Sequence, residues 1–433
     1  MVSSVVSANV ERLRTLLSTP AIRLVIENFL SLSSIQVLGQ LAMLILIPYV
    51  TRKIGIEKYG ITNFAISFVL FFQFIAVYGF NNTAARKVAL HKHDTDYIRR
   101  LFSIVSVAKI ILCLISGLFY CTFIVVTPSP QFTMYKELFG ILFLYVVGEA
   151  LFPMWLFMGL EKMRFLGIMN LISRILMVIC TIIFVQTPDD YILYAAFTSL
   201  GFIINGIVGT LIVIFHLRIY PQLPTIHEVM NELGDGLPIF LSLVSIYIYT
   251  SCRILILGLF TDESTLGQYV VGERISNALQ VFPISALITA LIPRLTNLYH
   301  TDKTKMLRIM NLLQRGIIIY AIMMLISVFI FAPEMTKVIA GQSFTTSIYA
   351  LKVLMLSTFI VLANTLRVQY FIISGDFRTF SRIHITWSII GLIAISILTY
   401  FFSYQGLAWA IVGLESGILL TTMTIIRLRG EKI

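Results

Sequence analysis

The sequence predicts an all-α polytopic membrane protein, with about twelve transmembrane helices in two six-helix lobes related by a pseudo-two-fold axis along the membrane normal. Three observations predict it. Fifty-eight per cent of the 433 residues are hydrophobic and only 12% are charged, a balance far outside that of soluble domains. The apolar residues collect into stretches of about 20, the length at which a helix crosses a bilayer. Positive charge is concentrated in alternate connections, the pattern that sets membrane orientation.

The stretch Ile47–Leu90 shows the organisation. One apolar segment ends near Pro48, a short basic turn carries Gly55 and Gly60, and a second segment runs from Ile61 to Phe80 before the basic pair Arg86-Lys87. Read this way throughout, the chain gives spans at 28–50, 61–80, 101–127, 138–160, 166–186, 191–217, 237–260, 269–293, 314–332, 348–374, 383–402 and 405–427. The longest connections, His216–Gly236 and Arg294–Leu313, hold about 20 residues each and leave no room for a soluble domain.

With the N-terminus placed inside, the loops and span ends on that side carry 21 Lys and Arg, against 5 on the other. Both termini are therefore expected in the cytoplasm, in a multi-pass membrane protein. The net charge of +11 is this loop charge rather than a nucleic-acid surface. Residues 1–27, with Arg12, Arg14 and Arg23, read as an amphipathic lead-in without a signal-peptide cleavage site. The expected division is 28–217 for the first lobe, 218–236 for a cytoplasmic linker, 237–427 for the second lobe and 428–433 for a tail.

Weak internal repeats support two related halves. Gly60 and Gly267 each open a span, 207 residues apart; Arg86 and Arg294 follow those spans at an offset of 208; Gly159-Leu-Glu-Lys is echoed by Gly375-Asp-Phe-Arg at 216. Six spans per repeat is an even number, so both halves enter the membrane in the same direction.

Polar residues inside the spans point to the site. Ser33, Gln36 and Gln40 share one helix face in the first span, and Ser242, Ser245 and Tyr249 repeat the spacing in the seventh at an offset of 209, with Arg253 one turn further. Helix-to-helix hydrogen bonding is the plain reading for such stripes; a hydrated cavity between the halves is the functional one. Six cations fall within spans (Lys109, Arg174, Arg253, Arg274, Lys352 and Arg367) against three anions, Glu149, Glu273 and Glu415. Each costs roughly 2.5–3.5 kcal/mol near the bilayer centre, so each calls for a partner or water. Lys352 and Lys109 are expected to snorkel. The surplus of cations suits an anionic passenger, and guanidinium groups bind phosphate bidentately.

Other chemistries lack their residues. The four cysteines lie in apolar segments without metal or redox spacing. His91-Lys-His93-Asp94 is a solvated basic loop rather than a metal site, and all six histidines lie in loops or at span ends. There is no P-loop, nucleophile elbow or nucleotide fingerprint. The chain reads as a transporter, not an enzyme, with no catalytic residue, metal or cofactor.

The blocks NFLSLSSIQVLGQLAMLILIPYVTRKIGIEKYG and YGFNNTAARKVAL resemble the N-terminal signature of the Wzx-type O-antigen flippases, polysaccharide exporters of the multidrug/oligosaccharidyl-lipid/polysaccharide (MOP) superfamily. LGLFTDESTLGQYVVGERISNALQVFPISALITALIPRLTNLY is similar to the segment after that family's seventh helix. The resemblance covers essentially the whole chain. It implies transfer of an undecaprenyl-pyrophosphate-linked sugar repeat unit from the cytoplasmic to the periplasmic leaflet of the bacterial inner membrane by alternating access, with membrane lipids and other polysaccharide-assembly proteins as partners and no nucleic acid. Arg274, in Gly-Glu-Arg-Ile-Ser, matches a cavity arginine of related flippases. Cys252 stands where the family often has an acidic residue.

The expected substrate contacts are Arg253, Arg274, Gln36, Gln40, Ser242, Ser245, Tyr249, Arg174 and Arg367, with Glu149 or Glu415 as coupling groups. The rival readings are a multidrug or cation antiporter of the same superfamily, which favours acidic cavity groups, and a membrane enzyme such as a polymerase or acyltransferase. Those enzymes need a large outer loop or a suitably placed histidine, and neither is seen.

Overall fold

The structure, a computed structural model, describes the backbone of residues 20–127 and 130–431, and the side chains within them except those of 20–44, 238, 242–243, 245–251 and 281–294. Most of the expected lead-in, and the end of the tail, lie outside the described residues.

The described residues are helical throughout the apolar segments. α1 (Pro20–Val77) carries the first two spans and reverses at Gly55. The sequence suggests a ten-residue connection there, but one residue suffices: φ 82° and ψ 162° is a backbone state essentially reserved for glycine. α2 (Phe80–Leu90) is a short basic helix, and α3 (Thr95–Val126) starts at Asp94, whose carboxylate accepts from the Tyr97 N–H at 3.0 Å.

The fourth span is broken. α4 (Pro130–Met134) leads into α5 (Lys136–Leu151), which stops before Pro153, and α6 (Met154–Gly159) resumes. Proline lacks the N–H that would bond four residues back, so the break sits where the chemistry puts it. α7 (Met163–Phe184) and α8 (Tyr191–Leu211) follow, the latter ending in one π-helical turn, Ile212–His216.

In the second half, α9 (Ile226–Phe260) and α10 (Glu263–Thr301) are the seventh and eighth spans. α11 (Lys303–Ala340) and α12 (Thr345–Ile373) are the ninth and tenth. α13 (Phe377–Leu428) carries the last two, reversing at Ser403 with φ 53°. Eight helical stretches are long and apolar enough to cross a membrane. Two of them turn back on themselves, and α9 and α10 add two crossings, which makes twelve.

Packing is inverted relative to a soluble protein. Large apolar side chains such as Leu118, Phe331 and Phe401 face outward, while Asn63, Ser116 and Thr422 are buried. Buried polar groups bond across helices: Ser116 Oγ donates to the Phe72 carbonyl at 3.1 Å, and Ser173 Oγ and Asn205 Nδ2 link α7 to α8 at 2.6 and 3.0 Å. Such bonds are worth on average about 0.6 kcal/mol each in membranes and act as register marks.

The expected linker 218–236 is shorter than the sequence suggests. Thr225 and Glu228 form a reciprocal capping box that starts α9 at Ile226, so Gly234 and Gly236 are helical. This first part of α9 is docked on the first lobe. Arg100 grips Glu228 through two bonds of 2.7 Å, Lys87 meets Glu232 at 2.8 Å and Asp235 at 3.0 Å, and Tyr78 stacks on Phe240 with ring centroids 4.5 Å apart. α9 thus starts against one lobe and ends against the other. We call the end carrying these basic residues the basic face, and the opposite end the far face.

Candidate functional site

At the far face the two halves are clasped. Thr51 Oγ1 donates to the Ile339 carbonyl at 2.7 Å and Arg52 Nη2 to the Val338 carbonyl at 2.9 Å. Those carbonyls belong to the last turn of α11, where no intrahelical donor reaches them. Side chains of one half therefore cap a helix of the other.

A helix crossing lies beside these caps. A Cβ on Gly60 would sit 2.2 Å from the Glu263 carbonyl oxygen, and one on Gly267 2.0 Å from that of Ile56. α1 and α10 approach this closely only because both positions lack a side chain. These are the glycines that the repeats align, so equivalent residues of the two halves meet at the seam.

Beneath the crossing lie the charges. Arg274 Nη2 donates to Asn63 Oδ1 at 3.0 Å, from α10 to α1, with Tyr59 and Tyr194 beside the guanidinium. Asn63 Nδ2 donates to the Tyr59 carbonyl at 2.8 Å, which fixes its amide with the oxygen toward Arg274. Arg253 faces Glu273 at 4.0 Å, and Glu415 on α13 lies within electrostatic reach of Arg253. Glu273 is 5% exposed, whereas Arg253 and Arg274 keep part of their surface open. Among the described residues, two guanidiniums and two carboxylates thus cluster at and beside the seam, about three turns below the start of α10.

This corrects the sequence-based surplus of cations. Lys109 does not snorkel: it is 3% exposed, and its Nζ donates to the carbonyls of Glu149 at 2.8 Å and Phe152 at 2.7 Å. It caps the helix that Pro153 breaks. Lys352 lies over the Phe329 ring at 5.7 Å. Arg367 donates to the Ala363 carbonyl of its own helix, toward the basic face and near Arg427. Arg174 sits in the first lobe near Tyr145, and Glu149 is held there by Gln73 and Lys109. Of the expected site residues, Arg253, Arg274 and Glu415 come together; Arg174, Arg367 and Glu149 do not join them. The side chains of Gln36, Gln40, Ser242, Ser245 and Tyr249 lie outside those described.

Sequence reasoning missed Asn63, Tyr59 and Tyr194. Asn63 was findable, being an amide inside a span one turn past the repeat glycine Gly60. The tyrosines carried no signal among the 19 in the chain. The His91–Asp94 loop is exposed, as expected, and no group of three or more metal-ligating side chains occurs among the described residues.

Twelve crossings around a charged seam define a transporter-type membrane fold, and solved structures share it. A multidrug resistance MATE family transporter of the MOP superfamily, in its inward-facing conformation, matches with a TM-score of 0.72 at 16% identity, over 90% of this chain and 94% of that one. The lipid II flippase MurJ, in an inward closed conformation, matches at 0.71 and 14% identity, over 92% and 87%. An outward-facing MATE transporter gives 0.54.

The family model described as "Polysaccharide biosynthesis protein" matches residues 25–299, and the chain belongs to that family. Two curated relatives, each named "Putative O-antigen transporter", are 25% identical. One, from Escherichia coli (strain K12), aligns over 94% of this chain and 97% of its own length; the other, from Shigella dysenteriae, over 90% and 96%.

Proposed function

We propose that this chain is a flippase that carries an undecaprenyl-pyrophosphate-linked oligosaccharide, an O-antigen or similar polysaccharide repeat unit, from the cytoplasmic to the periplasmic leaflet of the bacterial inner membrane. The family membership and the O-antigen transporter relatives support it. The observation that carries it is Arg274 bridging the halves through Asn63, with Arg253 in the same charged cluster beside it. They are partly open, at mid-depth, beneath a closed far face. Guanidiniums there suit the pyrophosphate, while the polyprenyl tail stays in lipid.

In this reading the basic face, with both termini, is cytoplasmic, and the lobes 28–217 and 237–427 alternate about the connection before α9. The clasped far face is the periplasmic end, closed in an inward-facing state. The TM-score of 0.72 against an inward-facing MATE transporter, compared with 0.54 against an outward-facing one, supports that reading. Glu415 is the coupling group: protonating it removes one of the two negative charges at the seam and leaves a net cationic site for the passenger. Gln36, Gln40, Ser242, Ser245 and Tyr249 are proposed to contact sugar hydroxyls.

The carboxylates of Glu273 and Glu415 favour a second reading, a cation or multidrug antiporter of the same fold. One experiment separates the two. In a flippase-null bacterium making the cognate glycan, the wild-type chain should restore surface polysaccharide, and Arg253→Ala and Arg274→Ala at matched levels should not. An antiporter would restore nothing while lipid-linked units accumulate on the cytoplasmic side.

A further inference from the structure

We propose that Asn63 is a gate-positioning residue. Its hydrogen bond to Arg274 latches the far face shut, and an anionic group on the passenger releases the latch by taking Arg274 away from it. The release step rests on the proposed anionic passenger; the latch does not.

The argument starts from where the bond lies. Donor and acceptor belong to α10 and α1, helices of opposite halves, three residues past Gly60 on one and seven past Gly267 on the other. The glycine crossing sets how closely the helices approach, and the bond lies one to two turns further along the same pair. Opening the far face must separate these helices, and so must break the bond.

The bond is also built to be exchanged. Asn63 is 3% exposed and its amide is fixed by the Tyr59 carbonyl, so its oxygen has one orientation, toward the guanidinium. That oxygen is neutral. A phosphate or pyrophosphate oxygen carries a full negative charge and pairs with a guanidinium bidentately, so an anion reaching Arg274 outcompetes the amide. Arg274 keeps part of its surface open for such an approach. Of the neighbouring seals, Thr51 to Ile339 carries no charge, and Arg52 to Val338 is a guanidinium on a neutral oxygen that lies exposed at the far end rather than inside the seam. Among the described residues, the latch is therefore the component of this clasp that lies inside the seam, where the passenger's charge arrives.

Distance measurements between spin labels test this. Glu57 and Ser343 are exposed residues of opposite halves at the far face. Both are labelled as cysteines in full-length protein whose four native cysteines are replaced, in lipid nanodiscs. Wild type should show one short distance. Asn63→Ala should add a longer, far-face-open population, at least tenfold above wild type, without ligand. Inorganic pyrophosphate at constant ionic strength should produce the same population in wild type and add nothing to Asn63→Ala. It should fail to do so in Asn63→Asp, where a carboxylate holds Arg274 more tightly. A general loosening of the fold would not give this pattern. Should Asn63→Ala not fold, Gly267→Ala tests the closure, since it places a methyl against the Ile56 carbonyl; Gly140→Ala, which meets open space, is the control.

A wild-type distribution for Asn63→Ala refutes the latch. An open population in Asn63→Ala with no response of wild type to pyrophosphate refutes the release step. Neither result bears on whether the chain restores surface glycan, so failure of the flippase reading is seen separately.

Discussion

Replacing Lys109 with methionine tests whether this lysine is a helix cap or an ion-pair partner. Methionine keeps the length and apolar stem and removes the three donors. The Phe152 carbonyl then loses its partner, and the Glu149 carbonyl keeps only a long bond of 3.3 Å from the Phe152 N–H. A buried acceptor left unsatisfied costs about 1–3 kcal/mol, so the change should cost about 2–5 kcal/mol in all. Glu149→Gln leaves Lys109 with both carbonyls and should cost less. Thermal unfolding in detergent, followed by tryptophan fluorescence, ranks the two, and hydrogen exchange across Met154–Gly159 locates the damage. Lys109→Met should be the more destabilised protein, with faster exchange in that segment. If Glu149→Gln is equally or more destabilised, the lysine serves the carboxylate and the capping argument is wrong.

Four other expectations follow from contacts elsewhere in the fold. Arg100→Ala should release the start of α9, seen as faster hydrogen exchange in residues 226–236 with no change elsewhere. The Glu228 carboxyl is held down to about 2, first by its bond to Arg100 and then by Thr225. A depressed carboxylate stabilises docking above its ordinary pKa, so docking should be intact from about pH 4.5 upward and weaken as pH falls toward 2. Arg174→Ala and Arg367→Ala should leave surface polysaccharide within about twofold of wild type, because the contacts described for them, with Tyr145 and with the Ala363 carbonyl, lie away from Arg253 and Arg274. Asn205→Leu should cost about 1–2 kcal/mol in detergent stability, by removing the amide that links Ser173 and Asn170.

What could be read from the chain depended on the range of the interaction. The twelve spans follow from hydropathy, a local sum over about 20 residues, and helices fill all of them. The break at Pro153 is also local, since the ring removes a donor whatever surrounds it. Gly55 was legible as a turn, but not as a one-residue reversal, because only packing shows how little backbone is needed. The site was half legible. Arg253, Arg274 and Glu415 stand out because charge inside a span demands explanation. What satisfies each charge is a long-range fact: Lys109 is spent on the backbone carbonyls of Glu149 and Phe152, which no side-chain pattern advertises. The linker was misread for the same reason. Gly234 and Gly236 suggest a loop, but Thr225 and Glu228 cap a helix there, and Lys87 and Arg100 dock it from more than 100 residues away. The repeat offset of 207 meant more than it first suggested, since it pairs two glycines that touch.

The central claim is that a lipid-linked anion crosses the seam between the two halves. Reconstituted transport tests it most directly: purified protein in liposomes loaded with a fluorescent undecaprenyl-pyrophosphate-linked glycan, with a membrane-impermeant quencher reporting which leaflet holds it. Wild type should equilibrate the lipid across the bilayer at least tenfold faster than protein-free liposomes, and Arg274→Ala should abolish most of that gain. Equal rates for wild type and protein-free liposomes, or for wild type and a well-folded Arg253→Ala, Arg274→Ala double variant, would contradict the account.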